Sequence, residues 1–130
     1  FLKYELERVE MKKVQASVAA LLALVLLTSL SACAPAKLSM ENVTAIIDTR
    51  LAEEYNKSHM VGAINIEMES GGFSAEAASL ENDGTIYIYG ETVEQVTQAV
   101  LEMREMGFNS VINIGTFADA QNVLPLKVNK

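Results

Sequence analysis

The chain has 130 residues, half of them apolar and 21% charged, with a formal net charge of −7, enough for one domain with a modest core. Its single cysteine excludes an internal disulfide framework and any cysteine-rich metal site, and its single histidine excludes a multi-histidine metal centre within one chain. No tryptophan and 6% aromatic residues argue against a stacking platform for bases or sugars.

The first element in chain order is an address. Met11-Lys12-Lys13 forms a short basic segment, and no charged residue follows until Lys37. The intervening ASVAALLALVLLTSLSACA has the layout of a bacterial export signal, with an apolar stretch closing on small residues. A membrane span of about 20 residues has similar length, but Cys33 at the end of the run favours a signal. Residues 1–10 precede the methionine that starts this pattern and are expected to be a mis-called start or non-native extension. Residues 11–32 are then the signal peptide, residues 33–42 a tether of small residues and proline, and residues 43–130 the folded domain. From Cys33 onward the chain carries fourteen acidic and six basic residues, a net charge of −8. Such a domain repels phosphate backbones, so no nucleic-acid partner is expected.

Residues 43–47 (VTAII) form a β-branched run that predicts a buried strand, residues 52–57 a helical turn, and residues 63–66 (AINI) a second strand. Gly71-Gly72 breaks the chain, and Ser74 is the expected cap of a helix over 75–80. Asn82-Asp83-Gly84 is a turn, followed by the clearest strand, residues 85–89 (TIYIY). Val93, Val96, Val100 and Met103 then fall at helical spacing and predict one apolar stripe, with Gly107 as a left-handed stop. Residues 110–114 (SVINI) predict a last buried strand, closed by Gly115. Strands alternating with helices in this way predict a small α/β domain, with a mostly parallel central sheet flanked by helices.

Two resemblances sharpen these expectations. Leu30-Ser31-Ala32-Cys33 resembles a lipobox, which implies lipidation of Cys33 and cleavage just before it. The mature protein would then be anchored to a membrane, in the bacterial cell envelope outside the cytoplasmic membrane. Ile47-Asp48-Thr49-Arg50, then Glu54-Tyr55, then His59-Met60-Val61-Gly62-Ala63-Ile64-Asn65, resembles the N-terminal signature of rhodanese-like domains. The later strand, loop, helix, Gly107-Phe108 and short strand extend the resemblance over about 80 residues.

Active members of that family carry a nucleophilic cysteine at the start of the loop after the central strand. The resemblance places Gly90 there, followed by Glu91, Thr92, Val93, Glu94 and Gln95, with no nucleophile and no basic side chain. Two carboxylates would repel an anionic sulfur donor. Thr92-Val93-Glu94-Gln95 fits a capping box, in which Thr92 and Gln95 satisfy each other's backbone N–H groups. Asp48, Arg50, Glu54, Tyr55, His59, Gly62, Ala63 and Asn65 are then expected in structural roles. Met60, Met68, Met103 and Met106 read as core filling, and Glu67, Glu69, Glu76 and Glu81 as a solvated face, so neither a metal nor another cofactor is expected.

These residues favour a non-enzymatic binding or scaffolding module with an unidentified protein partner. Two alternatives stand beside it: a sulfurtransferase or sulfane-sulfur carrier using a thiol from another chain, and a small-ligand-binding lipoprotein with a pocket opened by Gly90. The short sequence after Phe117 further predicts a sheet face that is less covered than usual.

Overall fold

The computed structural model describes residues 2–8, 10–15 and 33–130. The chain divides into two compact units, Phe1–Ala34 and Pro35–Lys130. In the first, residues 2–8 and 10–15 are helical and exposed. Among the described residues no helix is long and apolar enough to cross a membrane. Most of the apolar run and Leu30-Ser31-Ala32 lie outside the described residues; Cys33 is exposed.

The second unit contains strands β1 (Val43–Asp48), β2 (His59–Met60), β3 (Ile64–Asn65), β4 (Thr85–Gly90), β5 (Val111–Thr116) and β6 (Val128–Asn129). Its helices are α1 (Ala52–Lys57), α2 (Phe73–Ala77), α3 (Val93–Glu105) and α4 (Phe117–Val123). Four strands form a parallel sheet in the order β3-β1-β4-β5, and β2 and β6 pair antiparallel. The expected α/β architecture is therefore present.

Period-two alternation in β4 divides the core. Ile86 and Ile88 face one layer with Val96, Ala99, Val100 and Met103 of α3 and Phe73 and Ala77 of α2. Tyr87 and Tyr89 face the other, with Met60, Ala63, Ala120 and Leu124. In β1 a register shift between Val43 and Ala45 interrupts the alternation, so Val43 packs with the tyrosine layer and Ala45 with the isoleucine layer.

Helix α3 ends as its sequence predicts. Gly107 has φ +96°, its N–H donates to the Arg104 carbonyl, and Phe108 N–H reaches the Met103 carbonyl, the paired bonds of a Schellman motif. At the other end Val93 is 48% exposed, and Ala99 takes its place in the buried stripe. Ser74 does not cap α2: Gly72 precedes that helix, which stops at Ala77, and the Ser74 hydroxyl donates to Glu102 Oε2 at 2.9 Å.

Two expectations about the chain's ends need correction. The tether expected over residues 33–42 is docked from Lys37 onward. Leu38 N–H donates to the Val123 carbonyl at 2.8 Å, Lys37 Nζ to the Asn122 carbonyl at 2.7 Å, and Tyr87 OH to the Ser39 carbonyl at 2.6 Å. Leu38 and Met40 pack against the tyrosine layer. The short C-terminal sequence likewise still covers that face, because Phe117, Ala120, Leu124, Leu126 and Val128 all pack on it.

Candidate functional site

In an open parallel sheet the crevice lies at the C-terminal strand ends, where connections leave in opposite directions. Here β1 connects onward to β3 and β4 to β5, so that point lies between the ends of β1 and β4, at Asp48 and Gly90. The sequence signature converges on it.

Asp48 is fully buried and Arg50 is 5% exposed. The guanidinium grips the carboxylate through Nε, at 3.0 and 3.2 Å, and Nη2 at 2.6 Å. Nη2 also donates to the Ser58 carbonyl at 2.7 Å, and the guanidinium carbon lies 4.0 Å over the Phe117 ring. Burial alone would lower the Arg50 pKa, but the hydrogen bond and charge of Asp48 outweigh it, so the net shift is upward. Asn65 Nδ2 donates to the Asp48 and Arg50 carbonyls at 3.0 and 2.8 Å, fastening β3 across the end of β1.

The remaining signature residues fix the following segment. Tyr55 OH donates to the Ala63 carbonyl at 2.6 Å, and its ring stacks on His59 at 3.9 Å. His59 Nδ1 meets the Tyr55 carbonyl at 2.9 Å and Nε2 meets Asn129 Nδ2 at 3.4 Å. A carbonyl only accepts and an amide NH₂ only donates, so these partners select the tautomer with its proton on Nδ1. Gly62 makes the turn into β3 with φ +87°, and Glu54 pairs with Lys57 at 2.7 Å on the surface. The Lys57 hydrogen bond holds the Glu54 carboxyl below the usual range.

After β4 the loop is closed from within. Thr92 Oγ1 accepts the Gln95 N–H at 3.2 Å, as a capping box requires. The reciprocal half is absent: Gln95 Oε1 instead accepts Glu91 N–H at 3.1 Å and meets the Thr49 hydroxyl at 3.2 Å. A Cβ on Gly90 would lie 2.7 Å from Gln95 Oε1 and 2.9 Å from a Val96 methyl, and would collide with Thr49 Oγ1. Glycine here therefore opens no pocket. A side chain here would require Thr49, Gln95 or Val96 to shift.

Two open depressions flank this loop. One, of about 250 Å³, is lined by Arg50, Leu51, Glu54, Glu69, Glu91 and Gln95. The other, of about 420 Å³, is lined by Met68, Glu69, Glu91, Thr92, Gln95, Gln98 and Glu102. Glu94 is exposed on the first turn of α3. Among the described residues no group of His, Cys, Asp and Glu is arranged to hold a metal ion.

Sequence reasoning missed three contributors. Thr49 sits inside the Asp-x-Arg signature yet points at the loop. Tyr89, whose OH accepts Met60 N–H at 3.0 Å, has its pKa pushed well up, mainly by burial. Thr116 and Asp119 form the reciprocal capping box that Thr92 and Gln95 do not. The pattern Thr116-Phe117-Ala118-Asp119 was a readable signal.

The profile of the rhodanese-like domain family matches residues 33–118. The chain is 33% identical over 73 residues to the thiosulfate sulfurtransferase PspE of Escherichia coli K12, covering 56% of this chain and 70% of that protein. It is 31% identical over 78 residues to the putative sulfur carrier protein YrkF of Bacillus subtilis 168, covering 60% of this chain but only 41% of that one. Among solved structures, the rhodanese-like domain of the Alr3790 protein from Anabaena sp. superposes with a TM-score of 0.60 at 31% identity, over 69% of this chain and 90% of that one. A rhodanese with anions from E. coli superposes at 0.54 with 29% identity, over 66% and 96%. The parallel sheet, the Asp48–Arg50 clasp fastened by Asn65, and these matches agree, and the chain belongs to the family of rhodanese-like domains.

Proposed function

We propose that this rhodanese-like domain works without sulfur chemistry of its own, as a binding or scaffolding module anchored to a membrane through a lipidated Cys33. The observation that carries the proposal is the loop after β4. Where the family resemblance calls for a nucleophilic cysteine there is Gly90, and the volume a side chain would need is held by Thr49, Gln95 and Val96. The Glu91 N–H, a donor that could face an anion, is committed to Gln95 Oε1. Glu69 and Glu91 line both depressions, and Glu54 and Glu102 one each, which disfavours thiosulfate and other anionic sulfur donors there.

The names of PspE and YrkF supply the competing reading, in which the chain accepts or carries sulfur. Cys33 is the one thiol in this chain, so that reading needs either an unlipidated Cys33 or a thiol from another chain. Lipidation converts the cysteine to a thioether, which cannot carry a persulfide, so a lipidated chain has no thiol of its own for sulfur. The test is the intact mass of the chain purified from a bacterial host and treated with thiosulfate or polysulfide. The proposal expects a mature chain beginning at an acylated Cys33, with no sulfane-sulfur adduct. A free Cys33 that takes up sulfur and yields it to cyanide would overturn it.

A further inference from the structure

We infer that the open edge of the sheet, β5 with the outer flank of α3, pairs with the same edge of a second copy of this chain about a two-fold axis. The inference goes beyond the role proposed above and holds whether or not Cys33 is lipidated.

The argument starts from the last strand in the order β3-β1-β4-β5, which has a neighbour in the sheet on one side only. Ile86 N–H donates to the Ser110 carbonyl at 2.9 Å, so alternation turns the backbone groups of Ser110 and Ile112 toward β4 and those of Val111 and Asn113 outward. Arg104 Nη2, which reaches the Val111 carbonyl from α3 at 3.1 Å, fits that direction. Strand edges are commonly blunted by a charge or a proline, yet residues 110–116 contain neither. What the edge does carry is a bulge, at Gly115 with φ +100° and the register shift opposite Ile88 and Tyr89. The bulge keeps backbone pairing short, so a contact here is made mostly by side chains.

Those side chains are apolar on both faces of the edge. Asn113 Nδ2 donates to Thr97 Oγ1 at 3.0 Å, which places the Val93, Thr97, Leu101 and Arg104 flank of α3 over β5. Val93 and Leu101 are exposed on that flank, and Ile112 is exposed on the other face of the strand. A two-fold axis through the level of Thr97 and Asn113 runs the two α3 helices antiparallel. Val93 then meets the partner's Leu101, and Leu101 the partner's Val93. On the other face Ile112 meets the partner's Ile114, and Asn113 faces the partner's Asn113, where one reciprocal pair of backbone bonds can form. Arg104 comes about one helical turn along the axis from the partner's Glu94, within reach of its side chain. Each apolar residue thus finds an apolar one and the charge finds its opposite, the self-complementarity that an isologous contact requires. From Cys33 onward the chain carries a net charge of −8, so two copies repel in most other arrangements. The balance of Arg104 against Glu94 is what favours a second copy at this edge.

The test is sedimentation of the full chain in a nonionic detergent, at a solvent density that cancels the detergent's contribution. A dimer that dissociates on dilution is expected. Leu101→Glu sets a carboxylate against the partner's Val93 and is expected to weaken the dimer at least about tenfold, with an unchanged circular dichroism spectrum because Leu101 is exposed. Arg104→Glu is expected to weaken it as well, and Arg104→Glu combined with Glu94→Arg to restore it by reversing the pair. A chain that is monomeric at every concentration would overturn the inference. So would a dimer that Leu101→Glu leaves intact, the result expected if the copies associate through another part of the chain. A double variant no tighter than Arg104→Glu alone would overturn the antiparallel pairing of the helices.

Discussion

At the scale of single residues, the end of β4 is decided by three side chains that leave Gly90 no room. Thr49 Oγ1, Gln95 Oε1 and a Val96 methyl surround the position of its missing Cβ. Gly90→Ala is therefore expected to destabilise the domain by about 1–3 kcal/mol through overpacking. Thr49→Ala removes the nearest obstacle, so in a double-mutant cycle by urea unfolding the pair should couple favourably by about 1 kcal/mol. Additive effects would mean that Thr49 does not fill that space. Gly90→Cys meets the same obstacle, and Glu91→Arg with Glu94→Ala beside it corrects the charge without clearing the volume. The two glutamates are visible in the sequence, whereas Thr49, 41 positions upstream, comes into contact only through the pairing of β1 with β4.

At this scale the sequence marked Asp48 and Arg50 as structural, but neither their pairing with each other nor its depth was legible. Removing one partner of a buried pair leaves the other charge unpaired, so Asp48→Asn is expected to cost about 3 kcal/mol in urea unfolding. A loss below 1 kcal/mol, the range of exposed pairs, would contradict the buried geometry.

At the scale of elements, period and punctuation in the sequence identified most of what formed. TIYIY alternates between two core layers, and Gly107 ends α3 in the left-handed conformation. The first turn of α3 was misjudged because Val93 satisfies the helical period yet sits at the loop end of the helix, where it is half exposed. Helix α4 covers the sheet face despite the short sequence after Phe117, and a complete capping box starts it. Thr116 N–H and Oγ1–H both donate to Asp119 Oδ2 at 2.8 Å, and Asp119 N–H returns to Thr116 Oγ1 at 3.2 Å. These bonds, the backbone one first, hold the Asp119 carboxyl below its usual range. A depressed carboxylate contributes stability that is present above its unfolded value and lost as pH falls through the folded one. Thr116→Ala is expected to cost about 1 kcal/mol at neutral pH. That cost should shrink as pH falls below the unfolded value of about 4 and on through the lower folded value, beneath which Asp119 is protonated in both states. A penalty unchanged between neutral and strongly acidic pH would show that the carboxylate takes no part.

At the scale of the whole molecule, strand–helix alternation was enough to give the parallel sheet, but not the boundary of the domain. Ala34-Pro35-Ala36-Lys37-Leu38-Ser39 has a linker's composition, and only the groove beside α4 and Tyr87 turns Leu38 and Met40 into core contacts. A domain beginning at Val43 is therefore expected to unfold at a lower urea concentration than one beginning at Pro35. Equal midpoints would show that the docked segment adds nothing.

The proposed function gives a rhodanese-like fold a role without rhodanese chemistry. It is tested most directly by measuring cyanide-dependent sulfur transfer from thiosulfate with the full chain, using the PspE sulfurtransferase as the active control. The account predicts no thiocyanate above the protein-free background at any thiosulfate concentration, because Gly90 offers no nucleophile and the glutamates repel the donor. Turnover that saturates with thiosulfate would contradict it, and would mean that sulfur is handled by a group other than the loop after β4.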